Sequence, residues 1–140
     1  MRRFAVTVLF AAAAFVLAAF NAQARDPGGN PEAPTTLKNP VASTTTSVTA
    51  GAAAYKKYCS FCHGATAKGD GPLAPKGTMP ADLTDATWDR GASDGEIFTV
   101  IMGGAGPKFD MKGFKGKMPD QDAWHIVNFL RSIGPKTTAR

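Results

Sequence analysis

Cys59-Ser60-Phe61-Cys62-His63 constrains this chain more than any other stretch, because two thiols and an imidazole lie within a single turn of backbone. CxxCH is the attachment signature of a c-type haem. One turn between the cysteines lets both sulfurs reach the two vinyl groups of one porphyrin edge, while the next residue comes under the iron as proximal ligand. Other readings of these five residues fit less well. A thiol-disulfide redox pair opens a helix after a strand in a βαβ pattern, and no such pattern surrounds Cys59. A structural zinc site needs four ligands, whereas the chain has two cysteines and two histidines, with His125 remote from the motif. A disulfide between residues three apart would be strained and would leave His63 without a role.

The N-terminus points to the compartment in which such attachment occurs. Arg2 and Arg3 form a charged region, Ala5 to Phe20 an apolar one, and Ala22-Gln23-Ala24 a small-residue cleavage site, so residues 1–24 read as a cleaved secretory signal. The apolar run is short and alanine-rich for a membrane span, which leaves an uncleaved anchor as the lesser alternative. The twin arginines lack the rest of a folded-export signal. The expected location is therefore the bacterial periplasm, reached unfolded through the general secretory route.

Residues 25–49 hold Pro27, Pro31, Pro34 and Pro40, a Ser/Thr run from Ser43 to Ser47, and few large apolar side chains. That composition predicts a flexible leader. Residues 50–135 then form one domain, followed by a short tail at 136–140. So small a domain gains core volume from a covalently held haem. Within it, Thr49 is placed to cap a helix from Ala50 to Tyr58 that delivers Cys59. Ser93-Asp94-Gly95-Glu96 reads as a capping box opening a helix from Glu96 to Met102, ended by Gly103-Gly104. A last helix is predicted from Asp120 to Ser132, with Gly134-Pro135 as the stop and Trp124, Val127 and Leu130 on its buried face. No alternating strand pattern of useful length occurs, so the expected class is all-α.

Gly51 to Tyr55 leading into CxxCHG, Gly69-Asp70-Gly71-Pro72-Leu73, Pro80 to Thr84, Ser93 to Phe98, Met111 with Phe114, and Trp124 to Arg131 together resemble a class I c-type cytochrome of the small bacterial periplasmic, mono-haem kind. The resemblance covers nearly everything from Gly51 to Gly134. It implies helices wrapped around one haem c with the first and last crossing, Gly51 allowing their close approach and Tyr55 packing near Phe129. It also implies a methionine as sixth ligand, a soft donor that favours reduced iron. In the family pattern that ligand lies about thirteen residues before the last helix's tryptophan and three before a phenylalanine, a register that Met111, Phe114 and Trp124 fit. Met118-Pro119 is the competing choice, because family members commonly carry Met-Pro at the ligand. Lys112 stands where that proline is usual. Met79 and Met102 are expected in core or loop.

By the same resemblance the carbonyl of Pro72 is expected to accept from the second ring nitrogen of His63, with Pro75 close enough to compete. Trp88 is placed to reach a haem propionate, or simply to fill core. His125 is expected at the surface. Removing Arg2 and Arg3 with the signal lowers the net charge from +5 to +3, so distribution says more than the total. Lys108, Lys112, Lys115 and Lys117 crowd the segment around Met111, while Asp82, Asp85, Asp89, Asp94 and Glu96 gather before it. If that segment borders the haem edge, as in the family, the lysines could steer an acidic redox partner; otherwise they keep a loop soluble. Nucleic acid is excluded by the lack of a long basic run.

The function these residues point to is electron transfer by a mono-haem cytochrome cycling between ferric and ferrous iron, and not an enzyme's substrate chemistry. One alternative is an electron-accepting subunit of a dehydrogenase or oxidase complex. Another, of a different class, is a haem enzyme or gas sensor with an open sixth position.

Overall fold

The computed structural model describes residues 37–77, 79–106 and 111–135, and among these described residues there are four helices and one very short β-ladder. The expected signal (1–24), the leader before residue 37, Lys108 and the tail at 136–140 lie outside the described residues. The all-α class holds, with a ladder of two residues on each side added to it.

Helix α1 (Thr45–Tyr58) begins at Thr45 rather than Ala50, and its cap is Thr44 rather than Thr49. Thr44 Oγ1 accepts from the Ser47 N–H at 3.2 Å, while Thr49 turns its hydroxyl onto the Thr45 carbonyl at 2.9 Å. The Ser/Thr run lacks apolar periodicity, so tertiary contacts hold this first turn in the helix. Ser47 is buried; its Oγ accepts from Asn128 Nδ2 at 2.7 Å and meets His125 Nδ1 at 2.8 Å. Asn128 in turn accepts at Oδ1 from Asn39 Nδ2 at 2.9 Å and donates to the Val41 carbonyl at 3.1 Å. Buried amide and hydroxyl groups satisfied in this way make a specific clasp, since leaving any of them unpaired would cost about 1–3 kcal/mol. Packed structure thus reaches back at least to Asn39, eleven residues before the expected start of the domain at Ala50. His125, expected at the surface, is half-buried and belongs to the clasp.

Helix α4 (Asp120–Ile133) crosses α1 and buries Trp124, Ile126, Val127 and Leu130, with Ile126 and Val127 fully enclosed. The crossing is tightest at Gly51. A Cβ there would lie 2.0 Å from the His125 carbonyl oxygen and 2.8 Å from Phe129 Cβ, so only glycine fits. One turn on, the rings of Tyr55 and Phe129 meet at 5.2 Å. Gly51→Ala is expected to destabilise the protein by about 1–3 kcal/mol or more, although alanine is the better helix former, because the backbones must separate. Thermal unfolding measures it, and a variant as stable as the parent would contradict so close a crossing.

Helix α3 (Asp94–Gly103) opens with the expected capping box: Ser93 Oγ accepts from the Glu96 N–H at 3.2 Å, and the Glu96 carboxylate accepts from the Ser93 N–H at 2.8 Å. Arg131 Nε binds Asp94 Oδ1 at 2.8 Å, and Phe98 stacks on Trp124 at 3.9 Å and 9°, which docks α3 on α4. Hydrogen bonds to Ser93 hold the Glu96 carboxyl below its usual range. A carboxylate with a depressed folded value adds stability above its unfolded pKa of about 4.3, and that stability is lost as pH falls through the lowered value. Ser93→Ala is therefore expected to cost about 1 kcal/mol, a fall of roughly 4–8 °C in Tm, at neutral pH and less in acid. Melting curves at pH values on either side of the carboxylate range check the sign.

After α3, strand β1 (Gly104–Ala105) pairs antiparallel with β2 (Met111–Lys112), Ala105 opposite Met111. Phe114 and Lys115 then donate their N–H groups to the Ile101 and Met102 carbonyls at 3.1 and 3.0 Å. This stitching fixes Met111 against the end of α3.

Candidate haem site

The haem-attachment motif forms a turn of its own at the end of α1. Cys59 closes α1 with its N–H on the Tyr55 carbonyl at 2.8 Å, and α2 (Ser60–His63) follows directly, with the Cys62 and His63 N–H groups on the Cys59 carbonyl at 3.1 and 2.9 Å. Tyr55 Oη donates to the Gly64 carbonyl at 2.8 Å, pinning the far end of the motif to α1. Gly69, at φ +80°, lies where a Cβ would meet the Pro80 carbonyl oxygen at 2.1 Å, so the loop after the motif passes directly against the segment carrying Ala81.

These elements surround a cavity of about 510 Å³, inside the range of roughly 300–1,000 Å³ typical of cofactor sites. Ile97 and Ile101 of α3 and Ile126 and Leu130 of α4 supply buried apolar wall. Tyr58 and Phe114 flank it, edge to face at 5.7 Å and 68°. Thr87, Trp88, Asp89 and Arg90 bring polar groups to it, the indole of Trp88 being half-buried and the other three exposed.

Cys59, Cys62, His63 and Met111 all line this one cavity. Met118, the competing choice, does not; it is buried in the core at 4% exposure, and Met102 is likewise a core residue. Met79 lines the cavity as well, but it lies two residues from Ala81, whose carbonyl oxygen is 3.1 Å from His63 Nδ1. A carbonyl can only accept, so Nδ1 of the neutral imidazole carries the proton and the Nε2 lone pair is left for a metal. Pro72 does not take this place. Gly71 and Leu73 bind the carbonyls of Cys62 and Phe61 through their N–H groups at 3.1 and 2.8 Å, which ties the Pro72 turn behind the motif, exposed and off the cavity. Nothing in the sequence singled out Ala81, although Pro80-Ala81-Asp82-Leu83 lies within the matching text.

Burial pushes the Cys59 thiol up to about 12, with the neighbouring Cys62 adding to the shift. It also lowers the His63 imidazole, against an opposing contribution from the bond to Ala81. Both cysteines are free thiols, and among the described residues no three His, Cys, Asp or Glu side chains gather as a metal site. Two free thiols, an imidazole with its lone pair available and a thioether around one largely apolar cavity are a donor set that fits a covalently attached haem. Lys112 lines the cavity too, with Lys115 and Lys117 exposed nearby in the chain. The carboxylates before them are mostly engaged locally. Asp82 accepts from Thr84 at Oδ1, Asp85 from the Thr87 N–H, and Asp94 pairs with Arg131.

Helices folded around such a cavity define a class I c-type cytochrome, whose family implies covalently bound haem c. The chain belongs to the family described as cytochrome c oxidase, cbb3-type, subunit III, which matches residues 46–130. Among solved structures it is similar to cytochrome cL from the marine methylotrophic bacterium Methylophaga aminisulfidivorans MPT, with 25% identity over 64% of this chain and 55% of that one and a TM-score of 0.54. It is also similar to a chain of the reducing HAO-like protein complex of Kuenenia stuttgartiensis, with 25% identity, coverage of 79% and 52%, and a TM-score of 0.61. Cytochrome cL from Hyphomicrobium denitrificans shares the fold at 21% identity, coverage of 63% and 48%, and a TM-score of 0.52. The chain spans about half the length of these solved chains. No curated protein matches it. Among the described residues, no helix is long and apolar enough to cross a membrane.

Proposed function

We propose that this protein carries single electrons in the bacterial periplasm, holding one haem c through thioethers at Cys59 and Cys62 with His63 and Met111 as axial ligands. The observation that carries this reading is the convergence on one cavity of four side chains drawn from positions 59 to 111. When bound, the haem supplies one-electron exchange between ferric and ferrous iron. The protein's own part is positional. Ala81 fixes the tautomer and plane of His63, the β1–β2 pairing carries Met111 to the cavity, and the walls from α3 and α4 keep water away. Trp88 and Arg90 are among the donors that line the cavity and could meet the propionate carboxylates; Arg90 makes no hydrogen bond or ion pair among the described residues. Lys112, Lys115 and Lys117 give the Met111 side a positive field that raises encounter rates with an acidic partner and is screened by salt. Export is supported by the signal-like residues 1–24.

A second reading makes the chain an electron-accepting subunit of a larger assembly. The family's description and the Kuenenia stuttgartiensis complex favour it. The protein isolated from a periplasmic fraction tests both. Alkaline pyridine spectra should give one haem per chain, voltammetry a reversible one-electron wave, and ferrous protein should bind no carbon monoxide. Rapid carbon monoxide binding would favour the enzyme or sensor alternative, and elution with other subunits would favour the second reading.

A further inference from the structure

Among the described residues, Ala67 alone carries a positive φ without being glycine, at 63°, and it is 1% exposed. A Cβ disfavours that conformation, which persists only where the surroundings hold it in place. The Ala67 N–H binds the Gly64 carbonyl at 3.3 Å, the Ala67 carbonyl accepts from the Leu83 N–H at 2.7 Å, and the Gly69 N–H returns to the His63 carbonyl at 2.9 Å. The turn therefore starts and finishes on the attachment motif and grips the segment at 80–83 between.

That segment carries the Ala81 carbonyl, 3.1 Å from His63 Nδ1. Ala81 is held from both sides. Before it, the Pro80 carbonyl packs so closely on Gly69 that a Cβ there has no room; after it, Leu83 hangs from the Ala67 carbonyl. Asp82 Oδ1 stiffens the same stretch by accepting from the Thr84 N–H and hydroxyl at 2.8 and 2.6 Å. None of residues 64–69 lines the cavity, so the turn reaches the site only through Ala81 and its neighbours. Gly77 offers a comparison: its φ is +81°, but nothing lies within 4 Å of where its Cβ would be. It shares the conformation without the contact.

We propose that Ala67 and Gly69 are positioning residues for the proximal ligand: their turn holds the Ala81 carbonyl on His63 Nδ1 and so sets how strongly the imidazole donates to iron. This rests on the reading that His63 ligates a haem attached at Cys59 and Cys62. A hydrogen bond from the Nδ1–H raises the basicity of Nε2, and a more basic donor favours ferric iron. Release of Leu83 would relax residue 67, so the alanine makes this hold weaker than an unstrained turn would.

The test compares the haem-loaded parent with Ala67→Gly, Gly69→Ala and Gly77→Ala. Two quantities are read: the ferrous-to-ferric ratio at one fixed solution potential, and, by NMR of the ferrous protein, hydrogen exchange at the Leu83 amide and the His63 Nδ1–H. Glycine adopts this φ freely, so Ala67→Gly should slow both protons together by about threefold or more and leave the ratio within about twofold of the parent. Gly69→Ala pushes Pro80 away; it should speed both protons by about tenfold or more and raise the ratio at least about threefold. Gly77→Ala bears a similar backbone penalty and should match the parent in both readings. A turn that only supports the fold would move the Leu83 proton and leave the His63 proton unchanged. That result in Ala67→Gly, which has no new side chain to accommodate, overturns the proposal whether or not Gly69→Ala folds. A folded Gly69→Ala with the parent's ratio also overturns it, as does an equal shift in Gly77→Ala. A parent with no covalent haem is a different failure, that of the functional reading beneath the proposal.

Discussion

Replacing Cys59 and Cys62 together by alanine will yield a chain with no covalent haem and no cooperative unfolding transition. The two thiols line a cavity of about 510 Å³ walled by Ile97, Ile101, Ile126 and Leu130. At roughly 24 cal/mol for each Å³ of empty core, an unfilled and dry cavity of about 510 Å³ would cost on the order of 10 kcal/mol. Relaxation and water entry make that an upper bound, yet it matches the whole stability of a domain this size, about 5–15 kcal/mol. A haem stain on a denaturing gel reads the first effect, and circular dichroism through a thermal ramp reads the second. A variant that melts cooperatively would mean that α1, α3 and α4 hold together without the group the cavity is shaped for.

Met111→Ala and Met118→Ala should differ in kind. If Met111 is the axial donor, its removal abolishes the weak long-wavelength band of sulfur-bound ferric haem, lowers the reduction potential by withdrawing a donor that favours ferrous iron, and lets ferrous protein bind carbon monoxide. Stability should change little, because Met111 is only partly buried on a two-residue strand. Met118→Ala should keep the band and the potential while losing about 2–5 kcal/mol, the usual cost of truncating a buried methionine. Met118 belongs to the core cluster and hydrogen-bonds through its N–H to the Phe114 carbonyl at 3.1 Å. The reverse pattern in the two spectra would move the ligand to Met118.

What could be read from the residues alone was local chemistry and short-range register. CxxCH, the Ser93–Glu96 capping box and the buried stripe Trp124, Val127 and Leu130 each declare themselves within a few positions, and the structure has the box and the stripe in place. Gly51 was visible because a glycine in an alanine-rich helix needs a reason, and the resemblance supplied one. The start of α1 was not visible. Thr44 to Ser47 look like linker, and only the partners Asn128 and His125, some eighty positions away, make that stretch helical. Ala81 was hidden for a related reason: a backbone carbonyl carries no side-chain signature, and its place beside His63 depends on the loop passing Gly69.

The clasp between the two ends of the domain also closes a long loop of chain. Ser47 and His125 are 78 residues apart, and the haem-attachment motif lies between them. With α1 and α4 packed together, Cys59 is 8% exposed, and burial pushes its thiol up to about 12. Alkylation of Cys59 in the haem-free chain is accordingly expected to be faster in denaturant than in buffer, which thiol trapping with and without urea checks. The hydrogen bonds that finish the fold thus enclose the attachment motif in one long loop of chain.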